Sequence, residues 1–259
     1  MSPCTQYLAL LRLGAREWWR TRSVALLLLV IALIFGLANF LAGLAVTEVA
    51  AQRITFHAGL ARPLVTLLFA LAIVVALVRE LDDRVLDTLL ARPLSRRNWY
   101  LARLSAQLGA ALVLAGATAL PLAALVPPLA LAAWTLSFAC ELAIVAALAL
   151  ACATSLGRVA PAMGAVGGFY MLSRAIAALV LMVQGPASDP ARLGDRLVAC
   201  GVQGLALVLP DLSRYAQTAW LLGDARLVGV DLGYALVQAA IYVALLAALG
   251  LVDFERRNL

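Results

Sequence analysis

The sequence predicts an all-α integral membrane protein with six transmembrane helices, and three observations carry that prediction. The 259 residues are 64% hydrophobic and 13% charged, with a mean hydropathy of +0.98, far more apolar than a soluble domain, where about a quarter of residues are charged. Apolar runs long enough to cross a hydrocarbon core about 30 Å thick, roughly 20 residues of helix, occur in six places. The 20 basic residues, arginine without exception, collect on alternate connections between those runs, as expected where positive charge is retained on one side of a membrane.

Taken in order, the first run covers 23–46. It is too long for the apolar core of a signal peptide and no small-residue cleavage site follows it, so it is expected to stay as a transmembrane helix. The second, 62–78, is the shortest, with a start open to extension ahead of Pro63. Before it, 47–61 reads as a short outer loop carrying His57, the single histidine, as an interfacial residue. The third and fourth runs, 99–122 and 129–154, are joined by a turn at Pro127 and Pro128. The fifth, 160–183, opens with Pro161 and carries Gly164 and Gly168, a spacing that lets a neighbouring helix approach closely, within the chain or in a second copy. The sixth covers 232–252.

Between the last two runs, 184–231 is the longest segment outside the spans. Its apolar piece, 197–209, would reach only about 20 Å as a helix, too little to cross. It is expected to dip in and return, with Pro210 breaking it and 212–222 forming a second short helical piece. The connections and ends on the side of Arg79 to Arg97 carry thirteen arginines and the opposite side six. Both termini are therefore expected to face the cytoplasm. A seventh span within 184–231 would move Arg256 and Arg257 to the arginine-poor side.

Charge is densest at 79–97. Leu81, Val85 and Leu89 fall at i, i+4 and i+8, with Glu80, Asp83, Arg84 and Asp87 opposite, the spacing of a short amphipathic helix outside the membrane core. Pro93 ends it, because proline has no N–H for the helical ladder and biases Arg92 away from helical angles. Two readings compete: a linker lying on the bilayer surface, or a docking element for another protein. The acids Glu80, Asp82, Asp83 and Asp87 count against anionic lipid, whereas a protein partner pairs both signs. A second amphipathic segment, within 1–22, puts Arg12, Arg16 and Arg20 on one face and Tyr7, Leu11 and Trp18 on the other, suited either to an interfacial lipid anchor or to partner contact.

The segment 80–96, with Asp87-Thr88-Leu89-Leu90-Ala91-Arg92-Pro93-Leu94-Ser95-Arg96, resembles the cytoplasmic loop ahead of the third span in type-2 ABC exporter permeases. There the pattern is often Glu, a few residues, Gly-Thr-Leu, then Leu-Leu-Ala-x-Pro-x-Ser-Arg; Asp87 stands where glycine is common. Weaker likenesses are Arg16-Glu17 with Arg20 and Arg22, and Phe254-Glu255-Arg256-Arg257. The layout of the whole chain is similar. The resemblance implies a coupling helix around Glu80, Asp83, Arg84, Asp87, Arg92 and Pro93, seated in a groove of a separate ATP-binding-cassette ATPase subunit, with the interfacial helix at Arg12, Arg16, Trp18 and Arg20 helping that contact. It implies re-entrant outer helices before the last span and pairing with a second permease, as homodimer or heterodimer, in the cytoplasmic (inner) membrane. ATP and Mg would be held by the partner, with no cofactor on this chain, and membrane lipid rather than nucleic acid would surround it. One branch of small six-span permeases serves copper-enzyme maturation.

Missing residues narrow the alternatives. A P-loop needs a lysine, and the chain has none, so it is not the ATPase itself. Cys4, Cys140, Cys152 and Cys200 are scattered without a C-x-x-C and with one histidine, so neither metal nor disulfide is expected. An intramembrane enzyme would need a serine nucleophile frame near His57 or paired intramembrane aspartates, which are not found. A scaffold or assembly factor without transport remains open. Inside the fourth and fifth runs, Glu141 and Arg174 fall at nearly equal depth and are expected to pair, since each charge alone near the bilayer centre costs at least about 2.5 kcal/mol. The pair serves either helix register or contact with cargo. Arg174→Ala alone is expected to harm folding more than the double change with Glu141→Ala, since the single change leaves an uncompensated charge.

Overall fold

A computed structural model of the chain describes Gly14, Trp18 and residues 22–44, 48–83, 96–185, 193–222 and 228–256. The described residues are helices and their connections, with no strand among them. The helices are α1 (Arg22–Gly43), α2 (Val49–Asp82), α3 (Arg96–Ala119), α4 (Pro128–Leu156), α5 (Val159–Val183), α6 (Leu193–Val208) and α7 (Val228–Arg256). All but α6 are long and apolar enough to cross a membrane, six in all. The chain is a multi-pass helical membrane protein.

α4 is the hub, the most buried of the spanning helices, and it packs against α2, α3, α5 and α7. Its sequence explains the position: alanine recurs from Ala130 to Ala153 on all faces, so neighbouring backbones can approach closely. It begins at Pro128, whose missing N–H falls where no helical acceptor exists. It ends at Gly157, in the left-handed region at φ 62° with its N–H bonded to the Ala153 carbonyl, a stop that a side chain would strain.

The second spanning helix departs from the sequence reading. The expected outer loop at 47–61 is helical from Val49, and α2 runs unbroken for 34 residues through Pro63, about 51 Å at 1.5 Å per residue. His57 is not interfacial but fully buried, with Nε2 donating to the Thr118 carbonyl at 2.9 Å and its ring edge-on to Phe35. Polar residues at 52–62 suggested a loop; protein partners that satisfy them let the helix continue. At its other end α2 absorbs Arg79 to Asp82 as its last turn, so these residues extend the spanning helix rather than starting a separate one.

The starting end of α3 meets the final turns of α7. The Trp99 ring stacks on Phe254 with centroids 5.3 Å apart, and Tyr100 crosses α7 where Gly250 leaves room; a Cβ there would overlap the Tyr100 hydroxyl. Trp18 packs on Phe69 at 5.2 Å, and Gly14 lies against Ala106. Between α6 and α7 the chain turns inward through short 3-10 pieces, Arg214–Ala216 and Thr218–Leu222, where a second helical piece was expected. Leu212, Tyr215, Trp220 and Leu221 are buried there.

Candidate functional site

Four residues of α4, Trp134, Ser137, Phe138 and Glu141, fall at i, i+3, i+4 and i+7 and so share one face. That face receives Arg62 from α2. Its Nη1 donates to Glu141 Oε2 at 2.8 Å, and Nη2 donates to the Trp134 carbonyl at 3.2 Å and to Ser137 Oγ at 3.4 Å. The guanidinium also lies over the Trp134 and Phe138 rings, 4.8 and 5.2 Å from their centroids, where the negative ring faces attract a cation.

α5 supplies the other half. Tyr170 and Arg174, four residues apart and therefore on one face, both reach Glu141 Oε1: the Tyr170 hydroxyl donates at 2.8 Å and Arg174 Nη1 at 3.2 Å. Glu141 thus accepts from three donors on three side chains. Arg62 is 1% exposed and Glu141 0%, whereas Arg174 is 27% exposed. Taking a carboxylate and a guanidinium out of water costs several kcal/mol each, offset only where geometry and hydrogen bonds are good; the three donors provide that for Glu141.

The cluster is tied to residues 209–222. Ser137 Oγ donates to the Tyr215 carbonyl at 2.5 Å, the Tyr215 hydroxyl donates to the Ala235 carbonyl of α7 at 3.0 Å, and the Leu212 N–H donates to the Ser173 carbonyl of α5 at 3.2 Å. A single polar network therefore joins α2, α4, α5, α7 and residues 209–222.

Of the residues singled out in the sequence, the structure brings Glu141 and Arg174 together and adds Arg62, Tyr170 and Ser137. Arg62 was counted among the arginines outside the membrane; it lies instead within α2, which leaves thirteen arginines against five and the same bias. Glu80 pairs with Arg103, joining the end of α2 to the first turns of α3. Asp83 closes α2, its N–H bonded to the Arg79 carbonyl at 2.9 Å. Trp18 is helical and half-buried beside this region. Arg84, Asp87, Arg92, Pro93, Arg12, Arg16 and Arg20 lie outside the described residues.

The described residues contain no group of three or more histidines, cysteines, aspartates or glutamates placed to hold a metal ion. Cys140, Cys152 and Cys200 are free thiols. What the cluster offers chemically is fixed charge and hydrogen bonding, not a nucleophile beside a base. Fold and cluster together define a multi-pass helical membrane protein with an internal polar lock. No protein-family model matches the chain, and no curated protein does.

Proposed function

We propose that this chain is the membrane-spanning permease subunit of an ATP-driven ABC exporter, moving cargo across the cytoplasmic membrane with energy from a separate ATPase subunit. The observation that carries the reading is the Glu80–Arg103 ion pair, which clamps α2 to α3 on either side of the charged connection containing Asp87 to Arg96. Force applied to that connection would enter two helices already joined. From Glu80 to Arg62, α2 is one continuous helix of about 27 Å, so a displacement at the connection would be delivered to the Glu141 cluster. Rigid elements with discrete packing arrangements are what transmit such coupling.

Pairing with a second permease is supported by α5. Gly164 and Gly168 are exposed, and a Cβ added at either would meet nothing within 4 Å, so this small-residue face is open to another helix. The arginine distribution supports a cytoplasmic side for both termini. Residues 193–222 then form the outer side, with α6 as a re-entrant or interfacial helix.

The test is purification of the tagged chain from its native membranes. A nucleotide-binding ATPase chain should accompany it, and replacing Asp83 and Asp87 by arginine should release that chain while leaving insertion intact, since repulsive charge at an interface costs several kcal/mol. Retention of the ATPase by the double variant would refute the docking assignment.

A further inference from the structure

We infer that Arg174 forms an anion-binding site within the membrane-spanning region, one that receives the phosphate or carboxylate group of an anionic amphiphile. Two guanidinium groups face one carboxylate, two positive charges against one negative, so the cluster carries a formal +1. Arginine keeps its proton in proteins, and a carboxylate oxygen accepting from Tyr170 and Arg174 together has no proton of its own to offer. The surplus resides at Arg174. Arg62 is enclosed and bonded to Glu141, Trp134 and Ser137, whereas Arg174 reaches one acceptor among the described residues, through Nη1 alone.

Nε and Nη2 of Arg174 are therefore available to a further acceptor, and the planar fork of a guanidinium matches the two oxygens of a phosphate or carboxylate. Arg174 lies nine residues before Val183, the last residue of α5, about 14 Å in from that end. An unbalanced charge at that depth demands a counter-ion, and attraction is strong where water is scarce. Met171 and Met182, one turn before and two turns after Arg174, are 50% and 71% exposed, so apolar surface borders the cation on its own helix. Charge for a head group beside apolar surface for a tail is the chemistry of an anionic amphiphile. Its use as a cargo site rests on the exporter reading; the binding itself does not.

The test needs neither ATP nor a partner. The chain, purified in dodecyl maltoside, is titrated calorimetrically with dodecyl phosphate, with dodecyltrimethylammonium and with inorganic phosphate. Saturable binding of dodecyl phosphate is expected, with no binding of the cation and with inorganic phosphate weaker by about tenfold or more. Arg174→Gln leaves Arg62 and Glu141 as a neutral pair and should fold, with affinity for dodecyl phosphate reduced about tenfold or more; Arg174→Lys, a point charge without the fork, should fall between. Absence of saturable binding to the parent protein, equal binding of the cation, inorganic phosphate binding as tightly as dodecyl phosphate, or undiminished binding by Arg174→Gln would each overturn the site. The parent titrations require no variant and decide the matter even if the variants misfold. Repeating the titration in nanodiscs with and without phosphatidylglycerol separates the sources: competition identifies a membrane lipid headgroup as the natural occupant, and its absence identifies a free amphiphile.

Discussion

Arg62 and Glu141 stand 79 positions apart in the sequence and 2.8 Å apart in space. With Arg174 on the other carboxylate oxygen, the intramembrane charge is a three-member cluster, and Glu141 is the member on which both arginines depend. An isolated Glu141–Arg174 couple would make Arg174→Ala more harmful than the double change; the structure reverses that order, because Arg62 stays to balance Glu141 in the single variant and is stranded in the double.

Glu141→Ala should therefore be the most damaging single change in the cluster, since it strands the buried Arg62 guanidinium and takes from the partly exposed Arg174 its acceptor, a loss of about 3–5 kcal/mol. Arg174→Ala should cost the least. Folded yield by size-exclusion chromatography and unfolding midpoints rank the variants, and a Glu141→Ala protein as stable as Arg174→Ala would show that the cluster does not hold the helices.

Ser137→Ala removes the hydroxyl that donates to the Tyr215 carbonyl and accepts from Arg62, leaving buried groups unpaired at about 1–3 kcal/mol. Limited proteolysis should cut residues 209–222 faster in this variant than in the parent. Equal rates would mean that this hydroxyl does not tether residues 209–222.

At the other end of the bundle, Gly250→Ala should destabilise by about 1–3 kcal/mol, as overpacking does, because its Cβ would overlap the Tyr100 hydroxyl. Tyr100→Phe should be close to neutral alone, since that hydroxyl is buried without a hydrogen-bond partner and its removal strands no acceptor. Combining the two should restore part of the stability lost. Additive effects in the thermal unfolding of the four proteins would place the strain elsewhere.

Cysteines at Ser95 and Ser188, introduced after removal of the four native cysteines, should react with a membrane-impermeant maleimide from opposite sides of the membrane. Labelling from the same side would contradict the six-span arrangement.

The six spans were legible because apolar length is a one-dimensional property, and so was the depth match of Glu141 with Arg174. The extent of α2 was not. Gln52, Arg53, His57 and Arg62 look expensive in hydrocarbon, and only the fold reveals that His57 meets the Thr118 carbonyl and that Arg62 meets Glu141. One signal was present: Ile54, Ala58, Ala61, Val65 and Phe69, all buried, repeat every three or four residues straight through Pro63, a helical period that a loop would have interrupted. Tyr170 and Ser137 carried no comparable mark, since a tyrosine and a serine are ordinary in membrane helices until a carboxylate and a carbonyl are placed beside them. The inward course of residues 209–222 depends on partners in three other helices and was likewise invisible, although Pro210 correctly marked where α6 gives way.

Transmission of work from a separate ATPase through the connection between α2 and α3, as proposed, would be read out by ATP hydrolysis of the copurified complex in proteoliposomes. The parent complex should hydrolyse ATP faster than the isolated ATPase subunit, and Asp83→Arg with Asp87→Arg should abolish that stimulation while the chain remains inserted. Hydrolysis indifferent to the presence of the chain, or stimulation undiminished by the double variant, would refute coupling through this connection.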